Sequence, residues 1–193
     1  LKIGTAEKPV VAPYDIPQTQ IAFVLPGLKR SDPDYMAAYV MNQILGGDGN
    51  LVSRLGEEIR EARGLSYFVF SRMAPYSHGG VWYGGYATRN EQARQSTAVV
   101  RDTIERFVKN GLTDSELARA KQYLTGSFLA KIDSNENLAA FLINMQHNQL
   151  GIDYLDKRNA LIEAVSKSDV EAVAKRLLDA DKLLIVMVGK PGV

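Results

Sequence analysis

Apolar positions change their spacing several times along this chain, and each change marks an element. Thr19 to Leu25 is a β-branched and apolar run stopped by Pro26-Gly27, which predicts a buried strand. Ser31, Asp32 and Asp34 around Pro33 form a helix start, and Met36, Ala37, Val40, Met41 and Ile44 then recur at helical spacing up to Gly46-Gly47. A second helix follows, with Asn50 as its N-cap. Leu51, Leu55 and Ile59 make its apolar stripe, Arg54, Glu57, Glu58 and Glu61 its wet side, and Gly64 its end. Ser66 to Met73 and Val81 to Thr88 read as a hairpin joined by Pro75-Tyr76-Ser77-His78-Gly79-Gly80.

From Glu91 the period is helical again. Ala98, Ile104, Phe107 and Val108 share a long helix ending near Gly111. Thr113 caps the next, with Glu116 three residues on completing a capping box, and Leu117, Ala120, Leu124 and Phe128 follow. Further helices are expected over 136–150, 154–164 and 168–178, the last capped by Ser168. Lys182 to Gly189 contains the unbroken run Leu-Leu-Ile-Val-Met-Val, a buried closing strand. Strands come from both ends and the middle, and helices cluster rather than alternate with them. This order predicts an α+β fold, a mainly antiparallel sheet covered by helices on one face. Residues 1–16, polar and punctuated by proline, read as an arm or linker, and 17–193 as a single domain.

Composition narrows the chemistry. The 193 residues are 46% hydrophobic and 23% charged, with formal net charge +1, so no electrostatic case exists for nucleic acid or an anionic membrane surface. No apolar run approaches the ~20 residues of a membrane span. There are no cysteines, which excludes disulfides, thiolate catalysis and cysteine-ligated zinc. The first methionine is Met36, so a fragment or processed product is expected, with no signal peptide in it.

Few residues carry a reaction. The two histidines, His78 and His147, sit in no His-Glu-x-x-His or His-x-x-Glu-His pattern, and read as a turn residue and a helix-flank residue. No Gly-x-Ser-x-Gly elbow is present, and Ser66 and Ser71 occupy ordinary strand positions. Gly46-Gly47-Asp48-Gly49-Asn50 precedes a helix as an anion nest would, yet it lacks Lys-Ser/Thr and Asp48 repels phosphate; a tight loop between helices is the better account. Read on residue type alone, Arg60 is a surface cation at a helix C-terminus and Tyr67 a half-buried packing residue.

One segment changes that. Asn42-Gln-Ile-Leu-Gly-Gly, then Ser53-Arg-Leu, then Ile59-Arg-Glu-Ala-Arg-Gly-Leu-Ser-Tyr67 resembles the second domain of the pitrilysin/insulinase zinc metallopeptidases, in their mitochondrial-processing-peptidase-like branch. Asp15-Ile-Pro-Gln-Thr-Gln-Ile before the first strand and Leu112-Thr-Asp-Ser-Glu-Leu to Lys121 extend the resemblance to nearly the whole chain. Arg63 departs from the lysine common at that place and keeps the charge.

The resemblance implies a zinc-free C-terminal half of a two-domain subunit, inactive alone, with no cofactor in this chain and zinc in the partner. That partner is an N-terminal zinc-bearing domain or a second subunit of the family, in a full-length protein expected to be a dimer. It implies a chamber in which Arg60 and Tyr67 meet substrate and transition state, with Arg54 a further substrate contact unless it only pairs with Glu57 or Glu58 at helical spacing. His78, Trp82 and Tyr83 on the hairpin are set either to touch peptide or to pack. Substrates implied are peptides or unfolded segments, held as an added strand on a sheet edge. The alternative is a structural or assembly subunit with catalysis lost. The expected compartment is the bacterial periplasm, with cytoplasm or mitochondrial matrix as alternatives.

Overall fold

A computed structural model describes residues 8–47, 49, 52–128, 130 and 132–192. Five strands form one sheet: β1 (Val10–Pro13), β2 (Gln18–Gly27), β3 (Val69–Tyr76), β4 (Gly79–Arg89) and β5 (Leu184–Gly189), in the order β1-β5-β2-β4-β3. Neighbours pair antiparallel except β1 with β5. Among the described residues six α-helices accompany it: α1 (Tyr35–Leu45), α2 (Ala93–Asn110), α3 (Asp114–Gly126), α4 (Asn135–His147), α5 (Tyr154–Glu163) and α6 (Lys167–Leu177). The predicted class, α+β with a mainly antiparallel sheet under helices on one face, is the class observed.

Period-two alternation sets the two faces of the sheet. On β2, Thr19, Ile21, Phe23 and Leu25 are buried toward the helices while Gln18, Gln20 and Ala22 are exposed. Trp82, Ile185 and Met187 join the covered face, where Phe23 and Trp82 meet with ring centroids 5.4 Å apart. Val100, Ile104 and Phe107 of α2, Val40 and Met41 of α1 and Val170, Val173 and Ala174 of α6 complete the same cluster.

A polar knot sits inside it. The buried Asn42 carboxamide oxygen accepts from Trp82 Nε1 at 2.9 Å and from Ser71 Oγ at 2.8 Å, joining the end of α1 to the hairpin. Gly46 is required by the same approach, since a Cβ there would lie 2.2 Å from Ser71 Oγ. Ser71 N–H then donates to Gly47 O at 3.0 Å, on the outer edge of β3.

Several boundaries differ from expectation. Val10–Pro13, expected within an arm, is an edge strand, because β-branched Val10 and Val11 pair in parallel with Val186 and Met187. Pro26 and Gly27 stay in β2, since β5 pairs only with Gln20–Val24 and leaves that end of β2 without a neighbour on one side. The hairpin turn is just Ser77-His78, because Tyr76 already pairs with Gly79, and Pro75 is tolerated on the edge strand. Thr113 and Glu116 form the predicted capping box, whereas α6 is capped by Ser166 with Asp169, not by Ser168. The expected Asn50 cap and Leu51 lie outside the described residues, as does Asp48 of the glycine loop.

Replacing Asn42 by Ala strands a buried indole N–H and a hydroxyl, so a loss of about 1–3 kcal/mol in unfolding free energy is expected, measured by urea denaturation followed through the fluorescence of Trp82.

Candidate functional site

The chain between α1 and β3 holds the segment singled out by sequence. It is expected as an ordinary α-helix, but Gly56–Glu61 forms a π-helical turn in which Ala62 N–H reaches back five residues to Glu57 O at 2.8 Å. Ser53 starts it: its carbonyl accepts from Glu57 N–H at 2.8 Å and its hydroxyl from Gly56 N–H at 3.2 Å. Gly64, at φ 58°, ends it, with Leu65 N–H donating to Ile59 O at 2.8 Å across the widened turn. Leu55 and Ile59 are fully buried, so they plug the segment into the core and leave Arg60 on its outer side. Such π turns are frequent at functional sites.

Tyr67 does not open the next strand. Ser66 Oγ donates to Phe68 O at 2.9 Å and accepts from Phe68 N–H at 3.3 Å, a local loop that competes with ladder pairing, so β3 begins only at Val69. Thr88 Oγ1 pins this connection by donating to Leu65 O at 2.6 Å. Tyr67 is thereby thrust outward, 83% exposed rather than half-buried. Its hydroxyl has no hydrogen-bond partner among the described residues.

The structure brings Arg60 and Tyr67 together. The Arg60 guanidinium carbon lies 4.7 Å from the centre of the Tyr67 ring, and Arg60 Nε is 3.4 Å from Glu61 Oε1. An exposed cation–π contact of this kind is worth about 0.5–1 kcal/mol, enough to bias two side chains without immobilising them. Beside the pair, the open sheet face carries a groove of about 560 Å³ lined by Tyr67, Phe68, Phe70, Tyr83, Gly85 and Val186. Phe70 meets Tyr83 edge-on at 6.2 Å and Phe68 at 5.8 Å. Phe68 and Phe70 escaped the sequence reading. The signal that marks this face is the unbroken apolar run in β5, whose residues Leu184, Val186 and Val188 point away from the helices.

Arg54 stands apart from the Arg60–Tyr67 pair. Its partner is neither Glu57 nor Glu58. Nε and Nη2 form a two-pronged bond with Glu116 at 2.7 and 3.0 Å, Nη2 also donates to Gly111 O at 2.8 Å, and the guanidinium lies 4.8 Å from the Phe107 ring centre. With those donors committed, it ties the segment to the corner between α2 and α3. Burial works to raise the Glu116 carboxyl, but hydrogen bonds from Arg54 and Thr113 more than offset it and hold its pKa at about 2. Glu58 is likewise held below its ordinary value, burial opposing and hydrogen bonds from Arg106 and Arg63 prevailing.

Trp82 is fully buried against Asn42, so it packs, while Tyr83 lines the groove and His78 is exposed in the hairpin turn. His147 is exposed at the end of α4. Among the described residues no three His, Asp or Glu side chains converge as a metal site needs, so the donor set here does not fit zinc. Among them, too, no helix is long and apolar enough to cross a membrane.

Residues 3–124 match the family described as the peptidase M16 inactive domain. The chain belongs to that family. An uncharacterised zinc protease of Streptomyces coelicolor is 33% identical over 165 residues, 83% of this chain and 35% of the relative. A non-peptidase homolog of Helicobacter pylori is 35% identical over 114 residues, 56% of this chain and 26% of its own length. The crystal structure of a peptidase M16 inactive domain from Pseudomonas fluorescens superposes with a TM-score of 0.85 at 33% identity, covering 100% of this chain and 46% of that one. The inactive domain here thus spans less than half the length of these relatives.

Two outcomes follow from the Arg54–Glu116 pair. Arg54→Ala removes a charge-assisted fork and is expected to lower stability by about 1–3 kcal/mol in chemical denaturation. In the same variant the Glu116 carboxyl is expected to titrate closer to the ordinary 4.5, as read by NMR. Because the native value is depressed, the pair's contribution is complete above pH 4.5 and fades as pH falls from there toward 2.

Proposed function

We propose that this inactive domain is the substrate-contacting, zinc-free part of a zinc-dependent peptidase acting on peptides or unfolded segments, and that Arg60 and Tyr67 are the residues it contributes. The observation that carries the reading is the exposed Arg60–Tyr67 stack at the mouth of an apolar groove. Nothing in the core needs Tyr67 to stand 83% exposed, and its phenol is free to donate to a ligand oxygen. A guanidinium offers several fixed donors to peptide carbonyls or a carboxylate, and the phenol offers one to an oxygen on which negative charge develops.

The groove, rather than the edge of β3, takes the peptide in this reading. The middle of that edge is engaged by Gly47, whose carbonyl accepts from Ser71 N–H, and Pro75 has no N–H to give an added strand. The groove instead offers Phe70 and Tyr83 to apolar side chains and Gln18 and Gln20 to the peptide backbone. The zinc-bearing part belongs in this proposal to another domain or to a second subunit of the same family. The Helicobacter pylori relative described as a non-peptidase homolog favours a second reading, a structural or assembly subunit, for chains of this fold.

Peptide hydrolysis by the full-length protein separates the two. Arg60→Ala and Tyr67→Phe are each expected to reduce kcat/KM by about 10²-fold or more, with circular dichroism and bound zinc unchanged. Unchanged kinetics in both variants would favour the structural reading. The isolated domain is expected to hydrolyse no peptide, and zinc-dependent cleavage by a pure sample would overturn the assignment.

A further inference from the structure

Arg60 lies on a support that cannot hold its own shape. The π turn is six residues long, far below the length at which an isolated helix is stable in water. Leu55 and Ile59 set how deeply it sits in the core, but apolar contacts are non-directional and tolerate rotation and sliding. Directional bonds remove that freedom, and they come from two helices.

Glu58 is the first attachment. One carboxylate oxygen accepts from Arg106 Nη2 of α2 at 2.8 Å, and the other is bonded by Arg63 at the exit of the same turn. Arg63 Nη1 also donates to Glu58 O at 3.1 Å. Arg106 is itself steadied by Asp102, one turn earlier on α2, with Nε at 2.9 Å from its carboxylate. The second attachment is the fork between Arg54, at the start of the segment, and Glu116, whose carboxylate simultaneously caps α3 by accepting from Thr113 N–H at 2.7 Å.

Residues two apart on a helix point to nearly opposite sides. Glu58 therefore faces away from whatever Arg60 meets, and can reach a bound peptide only through the backbone of the turn. Sequence spacing hides the arrangement, because Arg54 and Glu116 are 62 residues apart.

We propose that Arg106 and Glu116, acting through Glu58 and Arg54, are positioning residues for Arg60: a two-point ionic clamp that sets the rotation of the π turn and hence where the Arg60 guanidinium stands over Tyr67. This rests on the reading of Arg60 as a substrate contact. The clamp converts the rigidity of α2 and α3 into precision at the Arg60 side chain, and its loss leaves the core residues of the turn in place.

The test uses the full-length protein, with kinetics on a peptide substrate and the Arg60 Nε signal read by NMR on selectively labelled arginine. Arg106→Gln is expected to lower kcat/KM by about tenfold and to move the Arg60 signal, Arg106→Lys to recover part of the loss, and Arg106→Gln added to Arg60→Ala to cost nothing further. Glu116→Gln provides a second entry to the same effect should the first variant fold poorly. If Arg60→Ala reduces hydrolysis while Arg106→Gln and Glu116→Gln change neither rate nor signal, the clamp is overturned and the substrate role of Arg60 stands. If Arg60→Ala leaves hydrolysis unchanged, the substrate role fails, and a shifted Arg60 signal in Arg106→Gln still supports the clamp while an unmoved one overturns it.

Discussion

The carboxamide oxygen of Asn42 accepts two hydrogen bonds where water does not reach, from Trp82 and from Ser71. A buried acceptor left alone is expensive, so the end of α1, the edge strand and its neighbour are held to one relative placement. The rest of the site inherits that placement. Ser71 carries the close approach of Gly46 and donates its N–H to Gly47, which fixes where the chain leaves α1. At the other end of the connection Thr88, on β4, grips Leu65. The segment carrying Arg60 is therefore anchored to the hairpin on both sides, and its freedom is reduced to how the turn between the anchors is wound.

That winding is where charge enters. Four charged side chains, Arg54, Glu58, Arg106 and Glu116, join the turn to α2 and α3 at the rim of the core. Burial disfavours both carboxylates as ions, and their arginine partners more than offset it. A fold built for stability alone would gain as much from apolar contacts at these places. Directional ion pairs add orientation, which non-directional apolar contacts do not supply.

The two faces of the sheet divide the labour. The covered face holds Phe23, Trp82 and Ile185 under the helices, and the open face carries a groove lined by aromatic and aliphatic side chains. Exposed apolar lining of this kind is uncommon on a surface with no binding role. The chain belongs to the peptidase M16 inactive-domain family and spans less than half the length of the relatives it matches.

The sequence by itself determined the elements whose signals are local. Alternation marked β2, the capping box marked the start of α3, the unbroken apolar run marked β5, and the long motif from Asn42 to Tyr67 identified the family. Each depends on residues within a few positions of one another. Tertiary structure decided the remainder. Val10–Pro13 became a strand because β5, at the far end of the chain, lies beside it. Arg54 left the wet side of its own helix for Glu116, the helix itself widened into a π turn, and Tyr67 was turned out of the strand by Ser66 to stack on Arg60. Partners such as Asn42 and Trp82, 40 residues apart, follow no period, so only the folded chain could bring them together.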